Sequence, residues 1–281
     1  MSMSILPTIR VAGVAAALLV SACKLDTLVF SGKAVDAYKL PTTIIPDSLR
    51  REVTFRSGNE TLYGYWIRQP GPAPRLTAIY SHGKGGNLAR ETEWTHAEFL
   101  WQSGFDVLTY DYRGFGRSSG DSEDETTLAT DATAALAYAL TQPGVTLNRA
   151  ISYAHSLGSA PGIALAAATP GLRALIVEAG FANGQAMAES ADPLGFPVGW
   201  LLRQPLLNTV RIATVTAPVL VMHGEDDVQI PVSQGRDLYA AARGSKQLRL
   251  VPRAGHDDIQ KVLGVSAFAA LVRTFTNAGS P

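Results

Sequence analysis

The sequence predicts an α/β fold in which a largely parallel sheet is covered by helices on both faces. Apolar runs of strand length alternate with segments of helical periodicity along much of the chain. One run, Val219–Met222, is apolar almost without interruption, which is typical of a strand buried on both sides. Polar motifs follow several of these runs directly, at the carboxyl strand ends where such sheets place their active sites.

Taken in order, the chain alternates from strand to helix after an initial pair of strands. The first two runs are close together with no helix between them, so we expect them to form an antiparallel hairpin. The predicted strands are Val53–Phe55, Leu62–Ile67, Leu76–Tyr80, Val107–Tyr110, Ala150–Ala154, Ala174–Val177, Val219–Met222 and Leu248–Val251. The predicted helices are Thr92–Gln102, Thr126–Thr141, Ser159–Ala168, Val232–Ala242 and Asp258–Thr276.

A candidate nucleophile lies between the fifth predicted strand and the helix after it. The segment Ala154-His155-Ser156-Leu157-Gly158 has small residues two positions before and two positions after the serine. A sharp strand–turn–helix requires that spacing, because a larger Cβ would collide with neighbouring backbone. Ser156 is therefore the predicted nucleophile, and the backbone N–H of Leu157 is predicted to donate to the oxyanion.

Histidine and carboxylate candidates for a catalytic triad follow the last two predicted strands. Only His256 lies beyond the acidic loop 223–231, on a turn that follows a short strand, so it is the predicted general base. The acid is less clearly marked, because Glu225, Asp226 and Asp227 stand in a row. Glu178, at the end of another strand, is a weaker alternative. The histidines of the chain are His82, His96, His155, His223 and His256.

A glycine-rich loop follows the third predicted strand, with the sequence His82-Gly83-Lys84-Gly85-Gly86-Asn87. Backbone N–H groups of such a loop can stabilise the negative charge that acyl transfer places on a carbonyl oxygen. A phosphate-binding loop is disfavoured, because the G-x-x-x-x-G-K-[ST] and G-x-G-x-x-G patterns are both absent.

From about Arg51 onward, these motifs together resemble the α/β-hydrolase superfamily. H-G-K-G-G-N, D-Y-R-G-F-G-R-S-S-G, A-H-S-L-G, H-G-E-D-D and A-G-H-D-D-I are similar to those of small-capped serine hydrolases of the serine-aminopeptidase-like and depalmitoylase-like group. The resemblance implies the chain order Ser, acid, His, with Asp227 as the acid and Asp226 as the runner-up. It also implies Lys84 N–H as the second oxyanion donor, with His82 bracing its loop. Two departures are Ala154 for the usual glycine and Lys84 for the usual asparagine.

A short cap is expected at about residues 181–208, where the superfamily inserts one. This stretch interrupts the strand–helix alternation and is rich in proline, leucine and aromatic residues. Its apolar character favours an acyl or small hydrophobic substrate, although the same residues could simply pack on the sheet. Glu189 and Asp192 are its only candidates for binding an α-amino group.

The N-terminus predicts a location in the cell envelope. Residues 1–22 have the charged, apolar and small-residue regions of a secretory signal peptide. Val-Ser-Ala-Cys, ending at Cys23, resembles the lipobox of bacterial lipoproteins, which implies lipidation of Cys23 and a lipid-anchored tether over residues 23–50. Lys24 mildly favours the outer membrane. The hydrolase domain is then residues 51–281, and the alternative is an ordinary signal peptide with a secreted or periplasmic soluble product.

Composition argues against several other classes of function. The 24 Lys and Arg residues balance the 24 Asp and Glu residues, so a nucleic-acid partner is not expected. No paired His/Cys spacing predicts a metal, and no cofactor is expected.

The predicted function is cleavage of a carboxylic ester or thioester through an acyl-enzyme intermediate, with a small-molecule or acyl substrate. The alternatives are a serine aminopeptidase or amidase and a non-catalytic binding protein on a hydrolase fold.

Overall fold

The computed structural model describes residues 32–72, 75–84, 86–122, 124–185 and 206–278, which form one eight-stranded sheet flanked by helices. The strand order across the sheet is β1-β2-β4-β3-β5-β6-β7-β8. The strands are β1 (Arg50–Ser57), β2 (Glu60–Ile67), β3 (Thr77–Ser81), β4 (Asp106–Tyr110), β5 (Ala150–His155), β6 (Ala174–Glu178), β7 (Val219–Gly224) and β8 (Lys246–Val251).

All the predicted strands are present, and the predicted hairpin is confirmed. β2 runs antiparallel to both of its neighbours, β1 and β4, whereas β4, β3, β5, β6, β7 and β8 are mutually parallel. The β1–β2 ladder closes on the pair Ser57 and Glu60, and Gly58 in the turn adopts a φ of +60°. A two-residue hairpin turn needs that left-handed conformation, which glycine adopts without steric cost.

The helices confirm the predicted segments and add one short element. The described helices are α1 (Glu91–Gln102), α2 (Glu125–Leu140), α3 (Ser159–Ala168), α4 (Asn208–Ile212), α5 (Val232–Ala241) and α6 (Ile259–Ala278). A capping box between Asp124 and Thr127 begins α2. The C-terminal segment was predicted as one continuous helix, but Gly264 breaks α6 with φ +75° and ψ 158°.

The sheet separates two hydrophobic cores. One contains Leu128 of α2, Ile163 of α3 and Leu238 of α5. The other contains Trp94 of α1 and Phe268 of α6. Helices therefore cover both faces, as predicted.

Strand β7 supplies alternate side chains to both cores, which confirms that it is buried on both sides. Val219 and Val221 lie in the core under α2, α3 and α5, and Leu220 and Met222 lie in the core under α1 and α6.

The segment that precedes β1 packs on the domain. Val35 N–H donates to the Gly116 carbonyl at 2.8 Å, and Ile45 is only 1% exposed. Residues 1–31, which include the predicted signal peptide and Cys23, lie outside the described residues, as does most of the predicted cap. Within the described ranges, no helix combines the length and the hydropathy needed to cross a bilayer.

Packing between β5 and α3 generates a testable prediction. A Cβ on Gly162 would lie 2.5 Å from Ala154 Cβ and 3.2 Å from Ser152 Oγ. We expect Gly162→Ala to lower the free energy of unfolding by about 1–3 kcal/mol in chemical denaturation, because overpacking forces the helix off the strand.

The double variant Ala154→Gly/Gly162→Ala should recover most of that loss, because the closest contact is then removed. Gly244→Ala is the matched control, since its Cβ would meet nothing nearer than 3.9 Å. Equal destabilisation in the single and double variants would contradict this description of the packing.

Candidate active site

Ser156 sits on a strained turn between β5 and α3. The chain leaves β5, makes a 3-10 turn over Ser156–Gly158 and enters α3 directly. Ser156 adopts a φ of +53°, a left-handed conformation that costs a residue with a Cβ on the order of 1–3 kcal/mol and points to a functional site. The side chain remains partly exposed in an otherwise buried turn.

Close packing explains the small residues around the serine. A Cβ on Gly158 would lie 2.0 Å from the carbonyl oxygen of Ser81 at the end of β3. No larger residue fits there without moving backbone. Ala154 is accommodated in place of the usual glycine because Gly162 of α3 has no side chain opposite it.

The three predicted triad residues form one chain of hydrogen bonds. Ser156 Oγ lies 2.8 Å from His256 Nε2, and His256 Nδ1 lies 2.8 Å from Asp227 Oδ2. Asp227 follows β7 and His256 follows β8, so the parallel sheet brings both loops to the carboxyl end of β5. The histidine is 9% exposed and the aspartate 6% exposed, which limits competition from water.

Asp227, and not Asp226, forms the hydrogen bond with His256. Its Oδ1 accepts the backbone N–H groups of Gln229 at 2.9 Å and Ile230 at 2.8 Å. Burial by itself raises the pKa of Asp227, but hydrogen bonds from His223 and His256 and the charge of His256 hold that pKa well below its usual range. The carboxylate therefore stays ionised at neutral pH.

The other acidic candidates lie elsewhere. Glu225 and Asp226 are exposed. Glu178 is fully buried and forms hydrogen bonds with Tyr153 and Gln260, and His96 is the histidine beside it, with Nε2 at 3.6 Å from Oε1.

The predicted oxyanion loop lies against the nucleophile. A Cβ on Gly83 would be 3.3 Å from Ser156 Cβ, so the loop backbone passes directly beside the serine. Lys84 is the next residue and its side chain is exposed, whereas Leu157, on the other side of Ser156, is buried. Both predicted donors therefore belong to backbone that adjoins Ser156.

His82 contacts this loop and the residues beside it, in line with the bracing role that the family resemblance implies. Its Nδ1 lies 2.8 Å from the Gly83 carbonyl, its Nε2 lies 3.2 Å from Asp111 Oδ1, and its own carbonyl accepts the Tyr112 hydroxyl at 2.8 Å. Asp111 also accepts the backbone N–H of Leu88 at 3.1 Å and the Tyr38 hydroxyl at 2.5 Å. The buried Asp111 carboxylate thus joins the loop, β4 and the N-terminal segment.

Sequence reasoning missed two supporting histidines. His223 Nε2 lies 2.8 Å from the Ile230 carbonyl and 3.3 Å from Asp227 Oδ2, so it orients the acid loop. His155 Nε2 lies 3.2 Å from the His256 carbonyl and braces the backbone of the base. Burial and the charges of His96 and His256 lower the pKa of His155 well below its usual value, so it is neutral. The sequence offered one signal for each: His155 directly precedes Ser156, and His223 lies four residues before Asp227.

Comparison with known proteins identifies the family. A family model described as serine aminopeptidase, S33, matches residues 72–208, which include Ser156 but end before Asp227 and His256. YfhR of Escherichia coli O157:H7, an uncharacterized protein, is 31% identical over 213 residues, covering 74% of this chain and 72% of its own. The alpha/beta hydrolase domain-containing protein aho-3 of Caenorhabditis elegans is 31% identical over 196 residues, covering 68% of this chain and 55% of its own. The chain belongs to the α/β-hydrolase superfamily.

Solved structures of this superfamily have the same fold at low sequence identity. The superposition on the Pyrococcus furiosus esterase Pf2001 covers 87% of this chain and 99% of the esterase chain, with a TM-score of 0.68 and 17% sequence identity. The superposition on Est1E from Butyrivibrio proteoclasticus, solved with ferulic acid bound, covers 80% of this chain and 99% of the Est1E chain. Its TM-score is 0.67 and the sequence identity is 20%.

The hydrogen bonds of the acid loop predict which carboxylate matters. Asp227→Asn should lower kcat on an activated ester by about 10³–10⁴-fold, because an amide at this position favours the wrong imidazole tautomer. Asp226→Asn is the matched control, and its exposed side chain should leave kcat within about twofold of wild type. A larger loss in the Asp226 variant would transfer the role of acid to Asp226.

Proposed function

We propose that this α/β-hydrolase cleaves carboxylic esters or thioesters through an acyl-enzyme intermediate on Ser156. The observation that carries the proposal is the hydrogen-bond chain from Ser156 Oγ through His256 to Asp227, with 2.8 Å at each step. It provides a nucleophile, a base within reach of its proton, and an ionised carboxylate that holds the base in one tautomer.

Each residue has a defined role in the proposed reaction. His256 Nε2 takes the proton from Ser156 Oγ as the oxygen bonds to the substrate carbonyl carbon, and Asp227 stabilises the imidazolium that forms. The N–H groups of Leu157 and Lys84 stabilise the oxyanion. His256 then protonates the departing alcohol or thiol, and the acyl group stays on Ser156. A water molecule, deprotonated by His256, releases the carboxylic acid and restores the serine.

Ester chemistry is favoured over peptide chemistry by two features. The similar folds include a protein named as an esterase, Pf2001, and Est1E with bound ferulic acid. An exposed apolar side chain also adjoins the site in sequence, since Val228 follows Asp227 and is 88% exposed. Such surface suits an apolar acyl group better than a charged α-amino group.

Aminopeptidase activity is the second candidate, because the matching family model is described as serine aminopeptidase, S33. An aminopeptidase needs acidic side chains near the substrate amine. The candidates of the cap, Glu189 and Asp192, lie outside the described residues.

We further propose that the enzyme is a lipoprotein of the cell envelope. The support is the sequence Val-Ser-Ala-Cys23 after an apolar run of signal-peptide length. Val35, twelve positions after Cys23, is hydrogen-bonded to the Gly116 carbonyl, so a lipid on that cysteine would hold the domain close to the bilayer surface.

Removing the serine hydroxyl tests the proposed activity. Ser156→Ala should lower kcat on p-nitrophenyl esters by about 10⁴-fold or more and abolish fluorophosphonate labelling, with an unchanged melting temperature. Ser233→Ala, an exposed serine on α5, is the matched control. Folded wild-type protein that neither hydrolyses the ester nor takes the label would instead support a binding protein on a hydrolase fold.

The same wild-type enzyme distinguishes the two catalytic candidates. Its kcat/KM should be higher on acyl esters and thioesters than on aminoacyl p-nitroanilides. The reverse order would favour the aminopeptidase.

Substitution of the lone cysteine tests the proposed anchor. Cys23→Ser should abolish incorporation of labelled palmitate in bacterial cells and leave the precursor unprocessed, with residues 1–22 still attached, because the lipoprotein-specific peptidase would no longer cleave before residue 23. Ser21→Ala, a small residue beside it, is the control and should leave labelling intact. Mature native protein with an unmodified cysteine would exclude the lipoprotein.

A further inference from the structure

A second cluster of ionisable side chains lies beneath the nucleophile turn, between the sheet and α1. It consists of Glu93 and His96 from α1, His155 from β5 and Glu178 from β6, and we call it the Glu–His cluster. Each of the four residues is buried, with exposed fractions of 0–2%. One ligand atom each of Glu93, His96 and His155 lies within 4.8 Å of the others, and His96 Nε2 is 3.6 Å from Glu178 Oε1.

The hydrogen bonds of the two histidines leave the second ring nitrogen of each available as a ligand. His96 Nδ1 lies 2.8 Å from the Thr92 carbonyl and His155 Nε2 lies 3.2 Å from the His256 carbonyl. A carbonyl only accepts, so these nitrogens carry the hydrogen. The other nitrogens, His96 Nε2 and His155 Nδ1, have no hydrogen-bond partner in the described part of the chain, and neither does Glu178 Oε1.

The hydrogen bonds of the two histidines follow a pattern that is common in metal sites. A histidine that binds a metal through one nitrogen usually donates its other N–H to a carbonyl or carboxylate, which fixes the tautomer and the ring orientation. Both histidines of the Glu–His cluster do so. The remaining carboxylate oxygens are held as well, since Tyr80 donates to Glu93 at 2.6 Å and Gln260 donates to Glu178 at 2.6 Å.

The charge of the cluster also favours a cation. Two carboxylates are buried here, and the ion pairs of Arg50, Arg113, Arg117 and Arg211 involve other acidic residues. Buried carboxylates without a counter-charge are costly, and a divalent cation between them would supply that charge.

We propose that the Glu–His cluster binds one divalent transition-metal ion, with zinc as the best match to its donors. Glu93, His96 and His155 offer one carboxylate oxygen and two imidazole nitrogens, a donor set that suits zinc, and Glu178 beside His96 supplies the second negative charge that balances the ion. Ligand atoms of tetrahedral zinc are about 3.3 Å apart, so these three side chains, whose ligand atoms lie within 4.8 Å of one another, would close by up to about 1.5 Å on binding.

The proposed ion would have a structural role. Bound at His155 Nδ1, it would fix the ring whose Nε2 holds the His256 carbonyl, and so steady the loop of the proposed base. This inference concerns binding and stability, and it does not depend on the hydrolase activity proposed above.

The sequence alone did not indicate this site. Its ligands come from three separate elements, and the only local pattern is the E-x-x-H spacing of Glu93 and His96, which places two side chains on one face of α1. The cluster becomes complete only in the fold, where His96 of α1 lies beside His155 at the end of β5 and Glu178 at the end of β6.

Zinc binding by the tag-free, metal-stripped chain tests the proposal. Titration of Zn²⁺ against a chromophoric chelator should show one equivalent bound more tightly than any other, and Zn²⁺ should raise the melting temperature of wild-type protein. Glu93→Gln should weaken this affinity by at least about tenfold, because even outer-shell partners of a metal are worth about 10–100-fold. The glutamine keeps the side-chain volume and an acceptor for Tyr80.

Two matched controls locate the ion. Glu91→Gln removes an exposed carboxylate from the same helix, and Asp257→Asn removes a carboxylate near His155 and His256 that could otherwise bind metal with them. Both variants should bind zinc as the wild type does. Wild-type protein that binds no zinc and shows no thermal shift would overturn the proposal. Equal affinity in wild type and Glu93→Gln, or loss of binding in Asp257→Asn, would also overturn it.

Discussion

The active-site architecture depends on the left-handed conformation of Ser156. An L-residue is held at a φ of +53° only where its surroundings fix it, and here the contact between Gly158 and the Ser81 carbonyl and the packing of Gly162 on Ala154 do so. Because α3 is pressed onto the end of β5, the serine hydroxyl projects beyond the sheet, toward the loops that follow β7 and β8.

Buried polar groups fix the positions of the loops that follow β7 and β8. Asp227 is fixed by two backbone N–H groups and by His223, and His256 is fixed through its carbonyl by His155. On the other side of Ser156, Asp111 and His82 hold the glycine-rich loop. These contacts satisfy polar atoms in a buried region, so they set the positions of the proposed catalytic groups before a substrate arrives.

Periodic apolar runs made the fold predictable from the sequence. Val219–Met222 was identified as a strand because its apolar residues must face both cores, and the parallel sheet then brings Ser156, Asp227 and His256 together. The acid needed a family resemblance, because three adjacent carboxylates look alike in sequence. In the structure, Asp227 is buried and hydrogen-bonded to His256, Gln229 and Ile230, whereas Glu225 and Asp226 are exposed.

Other features depend on contacts that no local pattern encodes. Asp111 acquires its role from the approach of Tyr38, which is 73 positions away in the chain. The Glu–His cluster forms only when His96 of α1 meets His155 and Glu178 at the ends of β5 and β6. Tertiary packing of this kind overrides or completes what the local sequence indicates.

The central claim is that Ser156 carries the acyl group during turnover. Rapid quenching of the enzyme with a p-nitrophenyl ester, followed by peptide mass spectrometry, tests it directly. We predict an acyl mass on the peptide that contains Ser156, appearing with the first turnover and disappearing as the ester is consumed. Steady turnover with no acyl group on Ser156, or with the acyl group on another residue, would contradict the account.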